Sequence, residues 1–193
     1  MAKVHFHYST MNAGKSTSLL QSNHNYEVRN LKTYLFTPAV DAEVHDGKIH
    51  SRLGISKDAI VFDGAFSFTD YFSDKKNTKI SCILVDEAQF LTELQVKQLC
   101  NICDETNIPV MCYGIRTDFQ GKLFDGSKCL LALADTLVEL KTLCEHPGCS
   151  RKATMIARYQ DGELVLQGQQ IDIGGDKYKV FCRKHYRMLT DLI

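Results

Sequence analysis

Val4-His5-Phe6-His7-Tyr8 runs directly into Ser9-Thr10-Met11-Asn12-Ala13-Gly14-Lys15-Ser16-Thr17. An apolar strand that feeds a small-residue loop ending in Gly-Lys-Ser-Thr is the setting of a phosphate-binding loop. Backbone N–H groups of such a loop turn inward on phosphate oxygens, and the N-terminus of the next helix adds its positive end. In that reading Lys15 reaches the β- and γ-phosphates and the Ser16 hydroxyl binds Mg²⁺. The plainer alternative is a surface turn that happens to hold Gly-Lys. The strand before it and the helix after it favour the phosphate loop. Ser9 stands where the usual pattern has its first glycine, a residue less tolerant of positive φ.

Outward from this loop the chain alternates. A helix is expected over Lys15 to Val28 and a strand over Lys32 to Thr37, stopped by Pro38. Pro38 to Ile55 is polar, shows no clear period and reads as an irregular loop, a length that often carries function. A short helix follows at Phe66 to Ser73. Ile80 to Val85 is a continuous apolar run, as expected of a strand buried on both faces. Thr92 to Thr106 reads as a helix opened by a Thr92/Gln95 capping box. Pro109 to Tyr113 is a second buried strand, Leu123 to Ala134 a helix and Leu137 to Leu143 a strand. Strands alternating with helices predict an α/β fold, a RecA-like, mostly parallel sheet with helices on both faces. Beyond Cys144 the pattern changes. Ala153 to Tyr159 and Glu163 to Leu166 flank Asp161-Gly162, a strong hairpin signal. The division expected is a nucleotide-binding domain over 1–143 and a small β-rich lobe over 144–193.

The strand at Leu84-Val85 ends in Asp86-Glu87-Ala88-Gln89-Phe90. A buried strand ending in a carboxylate suits Mg²⁺ binding by Asp86. In open parallel sheets ligands sit at the carboxyl ends of strands, so Asp86 and the phosphate loop should converge. With Asp86 committed to the metal, Glu87 is free to act as a general base on water or on a substrate hydroxyl. Spacing alone leaves open which of these it is, and leaves a simple ion-pair role open as well.

Cys144 and Cys149, with four residues between them, and Cys182 and His185, with two, bracket the β-rich segment. Two close pairs of this kind fit a structural, tetrahedral Cys₃His zinc site. His146 lies between the first two cysteines as a competing ligand. Cys82, Cys100, Cys103, Cys112 and Cys129 sit in apolar strands or helices, where cysteine packs as a small hydrophobe. The segment Ile171 to Tyr178 is a glycine-bearing loop ending in an aromatic, tethered between zinc ligands as a lid could be.

With 44 % hydrophobic and 24 % charged residues the chain reads as soluble and globular. Twenty-three basic residues balance 23 acidic ones, so bulk charge points to neither nucleic acid nor membrane as a partner. No run approaches the roughly 18 apolar residues of a membrane span. No signal peptide is visible at the start, and the expected location is the cytoplasm.

Together these motifs resemble the cellular, zinc-containing type of thymidine kinase in a bacterial style. The resemblance rests on Tyr8-Ser9-Thr10-Met11-Asn12-Ala13-Gly14-Lys15-Ser16-Thr17, Val85-Asp86-Glu87-Ala88-Gln89-Phe90-Leu91, Cys112 to Phe119, and Ile173-Gly174-Gly175 with Tyr178 and Cys182-Arg183-Lys184-His185. It spans nearly the whole chain. The first cysteine pair is two residues wider than is usual in the family, and the lid loop is one residue shorter.

The resemblance implies an ATP site made by residues 9–17 with Asp86, Glu87 and Gln89. It implies Glu87 as catalytic base on the 5′-hydroxyl of thymidine. Met11, Phe90, Ile115 and Phe119 match positions lining the thymine pocket, Arg52 an arginine near the phosphates, and Tyr178 a tyrosine of the lasso loop that closes over the nucleoside. Cys144, Cys149, Cys182 and His185 match the zinc ligands. It further implies a homotetramer inhibited by dTTP. Deoxyuridine, which lacks only the 5-methyl group, is expected to serve as a second acceptor. The rival reading is a nucleic-acid-binding ATPase module with a zinc ribbon, which would call for a basic face and neighbouring motor domains.

Overall fold

The computed structural model describes residues 1–73, 79–170 and 177–191. Strand β1 (Val4–Ser9) leads through the phosphate loop into α1 (Lys15–Glu27) and β2 (Thr33–Pro38). Next come α2 (Ala39–His45), the antiparallel pair β3 (Lys48–His50) and β4 (Ser56–Asp58), β5 (Ile60–Phe62) and α3 (Phe68–Ser73). Strand β6 (Cys82–Val85), a 3₁₀ turn (Ala88–Phe90), α4 (Glu93–Thr106), β7 (Val110–Ile115), α5 (Asp125–Leu133) and β8 (Thr136–Glu139) follow. The chain continues through β9 (Met155–Gln160), β10 (Glu163–Val165), β11 (Lys177–Phe181) and α6 (Arg183–Thr190).

The large sheet has the order β5-β2-β6-β7-β1-β8, and every pairing in it is parallel. Alternation along its strands fills two cores. Phe6, Phe36, Ile83, Val85, Val110 and Cys112 pack with Phe68 of α3, Leu99 of α4 and Leu130 of α5. Their neighbours Leu35, Cys82, Leu84 and Tyr113 point to the other face, against Leu19 and Leu20 of α1. Helices therefore cover both faces, as β strands buried on two sides require. The capping box of α4 is formed, with Gln95 N–H donating to Thr92 Oγ1 and Thr92 N–H to Gln95 Oε1. A second, three-stranded antiparallel sheet has the order β10-β9-β11. All eight cysteines are free of disulfides. Among the described residues no helix is long and apolar enough to cross a membrane.

Two stretches differ from expectation. The segment 38–55, read as irregular, holds α2 and β3, with β4 and β5 just after it. Helix α2 buries none of its seven residues, so no apolar stripe marks it in the sequence. The second is the end of the segment Ile171 to Tyr178, read as a loop: Lys177 and Tyr178 open β11, and α6 follows that strand. Strand β11 pairs with β9, and that long-range partner supplies its order.

Gly126, in the first turn of α5, shows how tightly the 3₁₀ turn is held. A Cβ there would lie 2.5 Å from the Ala88 carbonyl oxygen and 2.7 Å from that of Leu91. Alanine is the better helix former by about 1 kcal/mol, yet backbone cannot yield as a flexible side chain would. Gly126→Ala is expected to lower the melting temperature by roughly 2–10 °C, as overpacking by about 1–3 kcal/mol does in a chain of this size. A melting temperature at or above that of the unaltered chain would refute the contact.

Candidate functional site

Neighbouring strands β6, β7 and β1 release their chains at one edge of the sheet, and a cleft of about 1050 Å³ opens there. The phosphate loop forms its floor. Gly14 caps α1 at φ +76°, and Asn12 also lies in the left-handed region at φ +61°. Left-handed backbone at such positions is what lets successive N–H groups gather into a concavity suited to an anion. Lys15 is buried and donates from Nζ to the Thr10 carbonyl at 3.1 Å, folded back across its own loop. Met11 to Thr17 line the cleft, while Ser9 and Thr10 are buried beneath it.

Asp86 and Glu87 leave β6 with different fates. Asp86 is 2 % exposed, and its Oδ1 has no hydrogen-bond partner. Burial first, then the charge of Glu87, pushes its carboxyl well above the ordinary range, against the Ser16 hydroxyl and Lys15. An orphaned carboxylate oxygen beside the Ser16 hydroxyl is a donor set that suits Mg²⁺, which prefers oxygen ligands. Glu87 instead faces the cleft, from a left-handed backbone at φ +45°. That conformation costs a non-glycine residue about 1–3 kcal/mol and persists only where its surroundings enforce it. Gln89, 3 % exposed, enforces it here. Its Nε2 donates to Glu87 Oε2, and its Oε1 accepts the Ile115 N–H of β7 at 3.0 Å.

Arg52 reaches the loop from the β3–β4 turn. Ser51 Oγ and Thr17 Oγ1 lie 2.5 Å apart, and the Arg52 guanidinium donates to Asn12 Oδ1. The turn is thereby fastened to the start of α1, which carries a cation to the phosphate side.

The opposite wall of the cleft is apolar. Met11, Phe90, Ile115, Phe119 and Tyr178 all line it, with Ile156 behind them. Met11, Ile115 and Tyr178 pack on Ala153, Ile156 and Val180, so the small sheet forms part of the wall. Phe119 is 2 % exposed, with the Arg158 guanidinium 5.2 Å from its ring centre. Asp118 closes this loop on itself. Its Oδ1 accepts the N–H groups of Gln120 and Lys122 at 2.9 and 2.8 Å, and its Oδ2 accepts from Gln170 Nε2 at 2.9 Å. Gly174 and Gly175 of the lid segment lie outside the described residues, whereas Tyr178 stands on β11.

Residues without a sequence motif of their own also reach the cleft: Asp41, His45 and His50, from α2 and β3. Burial and then the charge of Glu87 raise the Asp41 carboxyl above its ordinary range, so it belongs to the same electrostatic neighbourhood. Asp41 carried no signal because the helix that presents it has no apolar period.

The cysteine and histidine pairs meet at the far end of the small sheet. The ligand atoms of Cys144, Cys149, Cys182 and His185 all lie within 4.8 Å of one another. His185 Nδ1 is 3.4 Å from Cys144 Sγ and 3.5 Å from Cys182 Sγ. Burial pushes the Cys182 thiol up, but N–H groups of His185 and Lys184 and its neighbouring thiols outweigh this and leave it lowered. Three sulfurs and one imidazole nitrogen at this separation could bind zinc. His146 is not in the group. Its ring stacks on His185 with centroids 3.8 Å apart, and its Nδ1 lies 2.9 Å from the Pro147 carbonyl oxygen. The cluster is tied to the cleft by the Tyr186 hydroxyl, which donates to the Phe119 carbonyl at 2.5 Å.

The sequence of the chain is similar to those of known proteins. The model of the family described as thymidine kinase matches residues 2–186. A thymidine kinase of Haemophilus influenzae is 52 % identical over 190 residues, covering 97 % of this chain and 97 % of its own length. One of Agrobacterium fabrum is 51 % identical over 192 residues, covering 96 % of each chain. One of Photorhabdus laumondii is 49 % identical over 189 residues, covering 96 % of this chain and 92 % of its own length.

Proposed function

The chain belongs to the thymidine kinase family, and from that premise we infer that it transfers the γ-phosphate of ATP to the 5′-hydroxyl of thymidine, giving dTMP and ADP. The observation that carries the residue roles is a shared cleft, with the phosphate loop on one side, an apolar wall on the other and Glu87 between them.

In the mechanism we propose, residues 9–17 form the loop that holds the triphosphate through backbone N–H groups, and Lys15 exchanges its Thr10 carbonyl for phosphate oxygens. Mg²⁺, held at Ser16 and Asp86, would neutralise charge on the β- and γ-phosphates. Met11, Phe90, Ile115, Phe119 and Tyr178 enclose the thymine ring and exclude water. Glu87, fixed by Gln89, accepts the proton of the 5′-hydroxyl as its oxygen bonds to the γ-phosphorus. The bond from that phosphorus to the β-phosphate oxygen breaks, and ADP leaves with the electron pair. Arg52 faces the charge that develops on the transferred group.

The remaining assignments belong to the same reading. Zn²⁺ at Cys144, Cys149, Cys182 and His185 is structural, and residues 144–193 form a lobe that supports the lid over the domain of residues 1–143. The enzyme works in the cytoplasm as a homotetramer. The end product dTTP inhibits it, since one molecule offers thymine to the apolar wall and a triphosphate to the loop. The rival reading, an ATPase module acting on nucleic acid, lacks support from the relatives.

Incubation with ATP, Mg²⁺ and thymidine tests the activity. ADP and dTMP should form in equal amounts, and ATP turnover that ignores the nucleoside would overturn the reading. Deoxyuridine should also be phosphorylated. Loss of one methyl contact in an apolar pocket lowers kcat/KM by about 10–200-fold. Chromatographic detection of dUMP checks it, and complete refusal of deoxyuridine would contradict the apolar wall.

A further inference from the structure

We propose that a groove beside the zinc-ligand cluster is a second phosphate-binding site, one that takes the polyphosphate chain of a small molecule. The groove holds about 740 Å³ and, among the described residues, shares no lining residue with the catalytic cleft. Six of its lining residues are cations: Arg116, Arg151, Lys152, Arg183, Lys184 and Arg187. Among the described residues no acidic side chain lines it. Among the described residues none of the six takes part in an ion pair. The chain as a whole has zero net charge, so this concentration of one sign is local.

The groove is built rather than a loose surface stripe. Met155 and Cys182, 7 % and 5 % exposed, form its floor. Arg116 is fixed across it, its Nη2 donating to the Thr154 carbonyl at 3.2 Å, which leaves the other guanidinium donors for a ligand. The N-terminus of α6 is not the binding element, because the N–H groups of Lys184 and His185 point at the Cys182 sulfur. A Zn²⁺ bound by three thiolates carries about −1 in all, far less than the six cations facing it.

Charge and volume together select the ligand. A single phosphate would leave most of the six cations unmatched, whereas a di- or triphosphate chain presents several anionic oxygens in a row. A cavity of this size falls in the small-molecule range. Nucleic acid would call for a longer basic track than one groove.

The test uses zinc-loaded Lys15→Ala protein, in which the phosphate loop is disabled, titrated calorimetrically with inorganic triphosphate. Saturable binding is expected. Adding Lys152→Glu and Arg187→Glu should weaken it by about tenfold or more. The milder pair Lys152→Gln and Arg187→Gln, with zinc content and circular dichroism unchanged, should weaken it to a lesser degree. Absence of binding in the Lys15→Ala protein, or equal binding after the groove substitutions, would overturn the proposal. Competition by GTP would assign the chain to a nucleotide, and lack of competition to inorganic polyphosphate. An oligothymidylate that occupies the groove and that triphosphate does not displace would also overturn it. Thymidine turnover has no part in this test, so its outcome is independent of the kinase reading.

Discussion

Replacing Glu87 by Gln is expected to lower kcat by about 10²–10⁴-fold, the usual contribution of a positioned general base, while ATP binding stays within a few-fold of its normal strength. The substitution keeps the side chain's length and its capacity to accept from Gln89 Nε2, so the 3₁₀ turn should hold its place. What it removes is a site for the 5′-hydroxyl proton. Burial is the main reason that Asp86 and Asp41 lie above their ordinary range, and the substitution removes the negative charge that adds to it. Asp86 then ionises more readily, so affinity for Mg²⁺ and ATP should be preserved or improved. Steady-state kinetics combined with calorimetric titration of ATP separate the two effects. Turnover near that of the unaltered enzyme would exclude Glu87 as the base. A parallel loss of ATP binding would assign it to the phosphate side instead.

Stripping zinc should have the second large effect. A structural zinc in a small lobe is worth about 10–16 kcal/mol in peptide systems near neutral pH, and little else holds this lobe. Besides the thiols, the buried apolar side chains among its described residues are few: Met155, Ala157, Phe181 and Tyr186 around the cluster, and Ala153, Ile156 and Val180 toward the cleft. Loss of the ion should release α6 and with it the Tyr186 hydroxyl that anchors the Phe119 carbonyl. The contacts of Met11, Ile115 and Tyr178 with Ile156 and Val180 would loosen as well. The phosphate loop and β6 belong to the large sheet and should survive. The expected result is selective. After chelation and return of excess Mg²⁺, thymidine binding and turnover are lost, ATP still binds, and added Zn²⁺ restores activity. Cys182→Ser should reproduce the defect without chelator. Full turnover in protein shown to be free of zinc would refute both the ligand set and the link through Tyr186.

The parallel sheet was legible because its evidence is local. The apolar runs before the phosphate loop and before Asp86 each declare a strand buried on two faces, and the Thr92/Gln95 pair declares the start of α4. Helix α2 and strand β11 were not legible for the opposite reason. One buries nothing, and the other acquires its order from β9, some twenty residues away. Asp41 was hidden with α2. The aromatic and apolar residues of the cleft's apolar wall had no chemistry-bearing spacing, and only resemblance to a family pointed to Met11, Phe90, Ile115, Phe119 and Tyr178.

By itself the sequence determined three things about this protein: a loop for phosphates, two adjacent carboxylates at the end of a strand, and two pairs of zinc-type ligands. Each is written in a few consecutive residues, because backbone geometry and ligand spacing act over short distances along the chain. The tertiary structure alone decided how they divide the work. Asp86 is buried with an orphaned oxygen while Glu87 faces the cleft, a difference made by Gln89 bridging to β7. Arg52 overhangs the loop because Ser51 is held to Thr17. Tyr186 couples the zinc-type cluster to Phe119. His146 is kept out of that cluster by stacking on His185. Each is a contact between segments distant in the chain or on different elements, and such contacts exist only once the sheets have packed.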